Sequence, residues 1–101
     1  MEYSLSTQNI ALTASDQELL AEKLGRLTKH LVPPFHPEIM IRHDRHHRSG
    51  NIISCRINVT QAGTVLHVER ERATVQEALD EAIEALKNEL AKLRDKRRHR
   101  R

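Results

Sequence analysis

The hydrophobic period of this chain changes once in its second half, and that change restricts the fold more than any other feature. From Ile53 onward every second residue is apolar, through Cys55, Ile57 and Val59, with Ser54, Arg56, Asn58 and Thr60 on the alternate positions. From Val75 the apolar residues instead recur at threes and fours, through Leu79, Ile83, Leu86, Leu90 and Leu93. A period of two predicts a strand with one buried face, and a period near 3.6 a helix with one buried stripe. Each needs a cover, so a helix laid on a sheet satisfies both.

The remaining segments fit the same scheme. Tyr3 and Leu5 alternate with Ser4 and Ser6, which predicts a short half-buried strand near residues 2 to 8. Thr13, with Asp16 three residues on, is placed to cap a helix, and Leu20, Leu24, Leu27 and Leu31 follow as its stripe. Pro33, Pro34 and Pro37 end that helix, because proline has no amide to donate and crowds the preceding turn. Ile39 and Ile41 alternate with Met40 and Arg42 in a second strand, and Ser49-Gly50-Asn51 supplies a turn into the third. Gln61-Ala62-Gly63 is the next turn, and Leu66 and Val68 point inward on a fourth strand while His67 and Glu69 point out. Thr74 and Glu77 form a capping box for the last helix. The expected fold is α+β, in the order βαβββα, a four-stranded sheet with two roughly parallel helices packed on one face. Residues 1–95 are expected to form a single domain and 96–101 a flexible basic tail.

Composition narrows the function. A chain of 101 residues supports one modest core. Aromatics make up only 2% of it, Tyr3 and Phe35, which argues against the aromatic stacking platform of many single-strand binders. The net charge is +3, yet Lys96, Arg97, Arg98, Arg100 and Arg101 fall together at the end, and setting them aside leaves 12 of the 17 Lys and Arg against 14 Asp and Glu. Basicity is therefore local, which favours a polyanionic partner. A lone Cys55, no apolar run long enough to span a bilayer and no signal-like N-terminus predict a cytoplasmic protein without a membrane partner.

Residues 42–51, RHDRHHRSGN, are the densest cluster of candidate ligands. His43, Asp44, His46 and His47 have the chemistry of a zinc site, but Arg42, Arg45 and Arg48 interleave with them, and fixed positive charges oppose a divalent cation. Phosphate contact fits better than metal, and a solvated loop remains the plain alternative. Catalysis is not expected: Cys55 lies on the apolar side of a strand, no glycine-rich phosphate loop exists, and no nucleophile, base and orienting group converge. The final helix runs from Glu77, Asp80, Glu81 and Glu84 to Lys92, Arg94, Lys96, Arg97 and Arg98. That order suits the helix dipole, but the crowding of cations at its end asks for an anion.

The element order, the strand ending in Asn9 before a Thr13-capped helix, Lys23 and Arg26 within KLGRL, the strand Leu66-His67-Val68 and the ending ALDEAIEALKNELAKLRDK carry a resemblance. The chain resembles the bacterial ribosome hibernation factors, the family of hibernation-promoting factor and ribosome-associated inhibitor A, also called sigma-54 modulation proteins. Thr74 and Gln76 stand where the family usually has Asp and Tyr at the start of the second helix. The resemblance implies a translation inhibitor that binds the small ribosomal subunit and its 16S ribosomal RNA in the channel of messenger and transfer RNA. It implies no cofactor, no metal, no small-molecule substrate and a monomer off the ribosome. By carry-over, Lys23, Arg26, Lys87, Lys92, Arg94 and Lys96 would face RNA phosphates. Charge alone adds Lys29, Arg42, Arg45, Arg48, Arg97 and Arg98. Two other functions fit part of the pattern: a general double-stranded RNA-binding domain, and a metal-responsive protein-interaction module acting through the histidines.

Overall fold

The computed structural model describes residues 3–45, 50 and 52–99, with side chains through residue 95. Along the chain run β1 (Ser4–Gln8), α1 (Ala14–Leu27), one 3-10 turn (Thr28–His30), β2 (Phe35–Asp44), β3 (Ile52–Gln61), β4 (Thr64–Arg72) and α2 (Val75–His99). The strands form one sheet in the order β1-β2-β3-β4. β1 runs parallel to β2, and the other neighbours are antiparallel. Parallel neighbours need a crossover, which α1 provides, whereas the antiparallel β3 and β4 need only a tight turn.

Register explains the two faces. Leu5, Ile39, Ile57 and Val68 stand in one row across the sheet, and Pro37, Val59 and Leu66 in the next. Leu20, Leu24 and Leu27 of α1 and Leu79, Leu86 and Leu90 of α2 bury against these rows, with Ala78, Ala82 and Ala85 letting α2 approach closely. Burying each Leu or Ile contributes about 1.5 to 3 kcal/mol. The opposite face carries rows Ser4–Glu38–Asn58–His67 and Ser6–Met40–Arg56–Glu69. There the Arg56 Nε–H donates to Glu69 Oε2 at 2.8 Å, the Ser4 hydroxyl meets His36 Nε2 at 3.0 Å, and His67 is hydrogen-bonded to the Asn58 side chain. Polar groups satisfied among themselves need no second layer of helices.

Local chemistry sets the helix ends. Thr13 Oγ1 accepts the Asp16 N–H at 3.1 Å, and Asp16 Oδ2 accepts the Thr13 N–H at 3.2 Å, a complete capping box. At α2, Thr74 Oγ1 accepts the Glu77 N–H at 3.2 Å. α1 stops earlier than its leucine stripe predicts. The Thr28 hydroxyl donates to the Gly25 carbonyl at 2.6 Å, a 3-10 turn follows, and Leu31 reaches the core from extended backbone with φ −96° and ψ 146°. β2 begins earlier than its isoleucines suggest and contains Pro37. The β1 register starts only at Ser4↔Glu38, so the missing proline amide falls where β2 has no β1 partner.

The turn from β3 to β4 is Ala62-Gly63, with φ of 44° and 81°, the two-residue form whose twist matches flanking strands. Just before it, buried Gln61 reaches away from the turn: its Oε1 accepts the Val32 N–H at 2.8 Å. The Ala62 N–H donates to the Pro34 carbonyl at 3.1 Å. Together these bonds tie the segment between α1 and β2 to the end of β3. α2 reaches His99, so Lys96, Arg97 and Arg98 lie on helical backbone and not in the flexible tail expected from sequence. No helix is long and apolar enough to cross a membrane among the described residues.

Candidate nucleic-acid interface

α1 and α2 lie side by side on the sheet, and the groove between them gathers cations from both. Lys23 and Arg26 are three residues apart on α1, beside the Leu20 and Leu27 stripe; Asp80, Ile83, Glu84 and Lys87 follow helical spacing on α2. These six residues line a groove of about 230 Å³. Lys23 forms an ion pair with Asp80 across it, and the Arg26 guanidinium pairs with Glu22 at 2.6 Å within α1. Both pairs are solvent-exposed to a degree that limits them to about 0 to 1 kcal/mol, so an arriving phosphate can displace either carboxylate. Lys87 has no ion pair or side-chain hydrogen bond among the described residues.

Farther along α2 lies a second cavity of about 310 Å³. Val32, Leu90, Ala91 and Leu93 form its apolar part, and His30, Lys87, Asn88 and Arg94 its polar part. Gln61 also reaches this cavity, and its bond to Val32 fixes the wall opposite α2. Lys87 borders both spaces. The structure thus places Lys23, Arg26 and Lys87 in one groove and Lys87 with Arg94 in the cavity beside it.

Other residues picked out by charge stand elsewhere. Lys92 follows Lys87 by five positions, about 140° around the helix, and pairs with Glu89 at 3.6 Å on another flank. Lys29 is exposed on the 3-10 turn and borders neither space. Arg42 shares the open sheet face with Glu38 and Met40, and with Arg45 it lines a depression of about 460 Å³ that Gln8, Asn9, His43 and Asp44 complete. Asn9 adopts φ 59° there, turning the chain as it leaves β1. Arg48, His46 and His47 lie outside the described residues, as do the side chains of Lys96, Arg97 and Arg98. Among the described residues no three metal-type ligands come together.

Sequence reasoning missed His30 and Asn88 as cavity residues and Asp80 as the partner of Lys23. Asn88 stands about 100° around the helix from Lys87, so spacing held no signal for it, and the ion pair depends on how two distant segments meet. The acidic start of α2 faces a neighbouring depression at the first turns of both helices: Asp16, Gln76 and Glu77 line it, and Asp80 borders both it and the cation groove. Cys55 is fully buried, and burial pushes its thiol up to about 12, so it stays protonated and unreactive. Along the helix pair the described surface is graded from acidic at the helix starts to basic toward the end of α2.

Comparison with known proteins agrees with this architecture. The N-terminal domain of Thermus thermophilus Protein Y superposes with a TM-score of 0.75 at 20% identity, covering 89% of this chain and 94% of that one. A ribosomal subunit interface protein from Coxiella burnetii superposes with a TM-score of 0.77 at 17% identity, covering 94% and 99%. At such identities the likeness speaks for the fold. No curated protein matches the chain significantly. The family model described as sigma 54 modulation protein / S30EA ribosomal protein matches residues 3–98, nearly the whole sequence, and the chain belongs to that family.

Proposed function

We propose that this protein associates with ribosomes and inhibits translation by occupying the messenger and transfer RNA channel of the small subunit, holding idle ribosomes in hibernation. The family supports ribosome association, and a similar structure is described as a ribosomal subunit interface protein. The observation that carries the reading is the convergence of Lys23, Arg26 and Lys87 in one groove, with Arg94 in the adjoining cavity.

The mechanism is occupancy. Two helices anchored in a shared core hold their cations in fixed register, so little backbone freedom is lost when phosphates arrive. Each contact releases condensed counterions, which makes affinity fall steeply with salt and requires no base sequence. Arg42 and Arg45 stand at the far ends of β1 and β2, away from the helix groove. Cations on separate surfaces suit a site that surrounds the protein, as a channel does, better than a flat one. Obstruction needs no catalytic step.

A general duplex-binding domain would need cations at the start of its last helix. Here that region carries Glu77 and Asp80 beside Asp16, which repels a duplex backbone. Sedimentation with purified small subunits, large subunits and a plain RNA duplex tests the reading. Preferential binding to small subunits, lost as salt rises, is expected together with inhibition of translation in a cell-free system. Protein remaining unbound at low salt, or binding the duplex equally well, would overturn it.

A further inference from the structure

The cavity between the 3-10 turn and α2 has a composition that phosphate binding alone leaves unexplained. Its apolar part, Val32, Leu90, Ala91 and Leu93, gives a phosphate nothing. Its polar part holds His30, Lys87, Asn88 and Arg94 and no carboxylate. Val32 is 37% exposed, and its N–H donates to Gln61 Oε1 at 2.8 Å, which anchors the backbone of this wall. An aliphatic wall beside a cationic rim fits a ligand that is flat and apolar on one side and anionic on the other.

Resting on the ribosomal RNA reading, the geometry points to a seat for one unpaired nucleotide, its base against the aliphatic wall and its phosphate between Lys87 and Arg94. Three features favour this occupant. Lys87 borders both this cavity and the groove of Lys23 and Arg26, so a sugar-phosphate strand lying in the groove passes directly to the cavity mouth. The Asn88 amide offers a donor and an acceptor in one group, as a base edge requires and a phosphate does not. A volume of about 310 Å³ is at the small end of ligand sites. An acidic amphipathic helix would instead need a long groove with several anchor pockets.

NMR titration of the intact protein tests this, with 5′-AMP, 5′-UMP, the uncharged nucleosides, inorganic phosphate and an acidic amphipathic peptide as separate probes. The nucleotides are expected to shift the amides of Asn88, Ala91 and Arg94 in a saturable way, with phosphate and nucleosides far weaker. Ala91→Leu, which narrows the cavity and keeps every charge, should weaken nucleotide binding about tenfold, and Lys87→Gln should weaken it as well. Unchanged dispersion of the remaining amides shows that each variant is folded. Equal shifts from inorganic phosphate would reduce the cavity to an anion patch, shifts from the peptide alone would make it a protein-docking site, and no shifts would leave it empty; each outcome overturns the proposal. Because the probes are free nucleotides, such a failure is separate from a failure to bind ribosomal subunits.

Discussion

Lys23 on α1 and Asp80 on α2 form an ion pair across the groove where the two helices meet, with Lys23 24% exposed and Asp80 53%. So open a pair adds at most about 1 kcal/mol to stability. Its effect on binding is larger, because the carboxylate occupies the lysine and repels any phosphate that approaches. Asp80→Asn is therefore expected to tighten binding to small subunits several-fold while changing the urea midpoint little. Weaker binding by this variant would mean that Asp80 holds Lys23 in position and does not mask it.

The groove makes the cations unequal. Replacing Lys23, Arg26 and Lys87 together by glutamine should lower the slope of log affinity against log salt by about 2 to 3, roughly one per lost phosphate contact. Lys29→Gln and Lys92→Gln, which stand outside the groove, should change it far less. Binding isotherms over a series of salt concentrations measure both. A larger loss from Lys92 would place the contact surface on the other flank of α2.

Strands and caps were legible because their causes are local. Ile53, Cys55, Ile57 and Val59 alternate whatever covers them, and Thr13 and Thr74 meet amides only three residues away. Leu31 misled because burial alone does not reveal the backbone that delivers a side chain. It keeps the spacing of the α1 stripe and yet lies beyond the 3-10 turn. The candidate site was legible as a list of cations and not as a surface. Helical arithmetic already separates Lys92 from Lys87, but no periodicity brings Lys23 to Asp80 or Arg72 to Glu81. Those contacts are set by where α2 lies on the sheet.

The hairpin turn holds removable strain. Ala62 sits at φ 44°, where its Cβ crowds the backbone, in a turn form that favours asparagine before glycine. Ala62→Asn should stabilise the fold by about 0.5 to 1 kcal/mol, read as a higher urea midpoint with an unchanged slope. A drop in stability would show that the alanine methyl makes a contact worth more than the strain.

Gly25 offers a second gain of different origin. It lies exposed within α1, and a Cβ built on it meets nothing within 4 Å. Gly25→Ala should add about 0.5 to 1 kcal/mol through the reduced freedom of the unfolded chain and better helix propensity. Thermal unfolding checks the sign. Since Gly25 stands between Lys23 and Arg26, tighter folding accompanied by poorer binding to small subunits would indicate that RNA approaches the α1 backbone closely there.

Cys55 connects the core to pH. Burial raises its thiol from an ordinary 9.0 to about 12, so the folded chain keeps a proton that the unfolded chain releases above pH 9. With the unfolded state binding fewer protons, stability must fall as pH rises across that interval, by up to about 1.4 kcal/mol per pH unit. Below pH 9 this contribution is fully present and flat. Cys55→Val, close in size and suited to a strand, removes the titration, so the difference in unfolding free energy between parent and variant should be constant from pH 6 to 9 and then shift in favour of the variant, with lysine and tyrosine effects cancelling in the comparison. Iodoacetamide at pH 8 should label Cys55 only at the rate of opening. Parallel stability curves up to pH 11, or rapid labelling of the folded protein, would show that water reaches the sulfur and that α2 does not seal the sheet over β3.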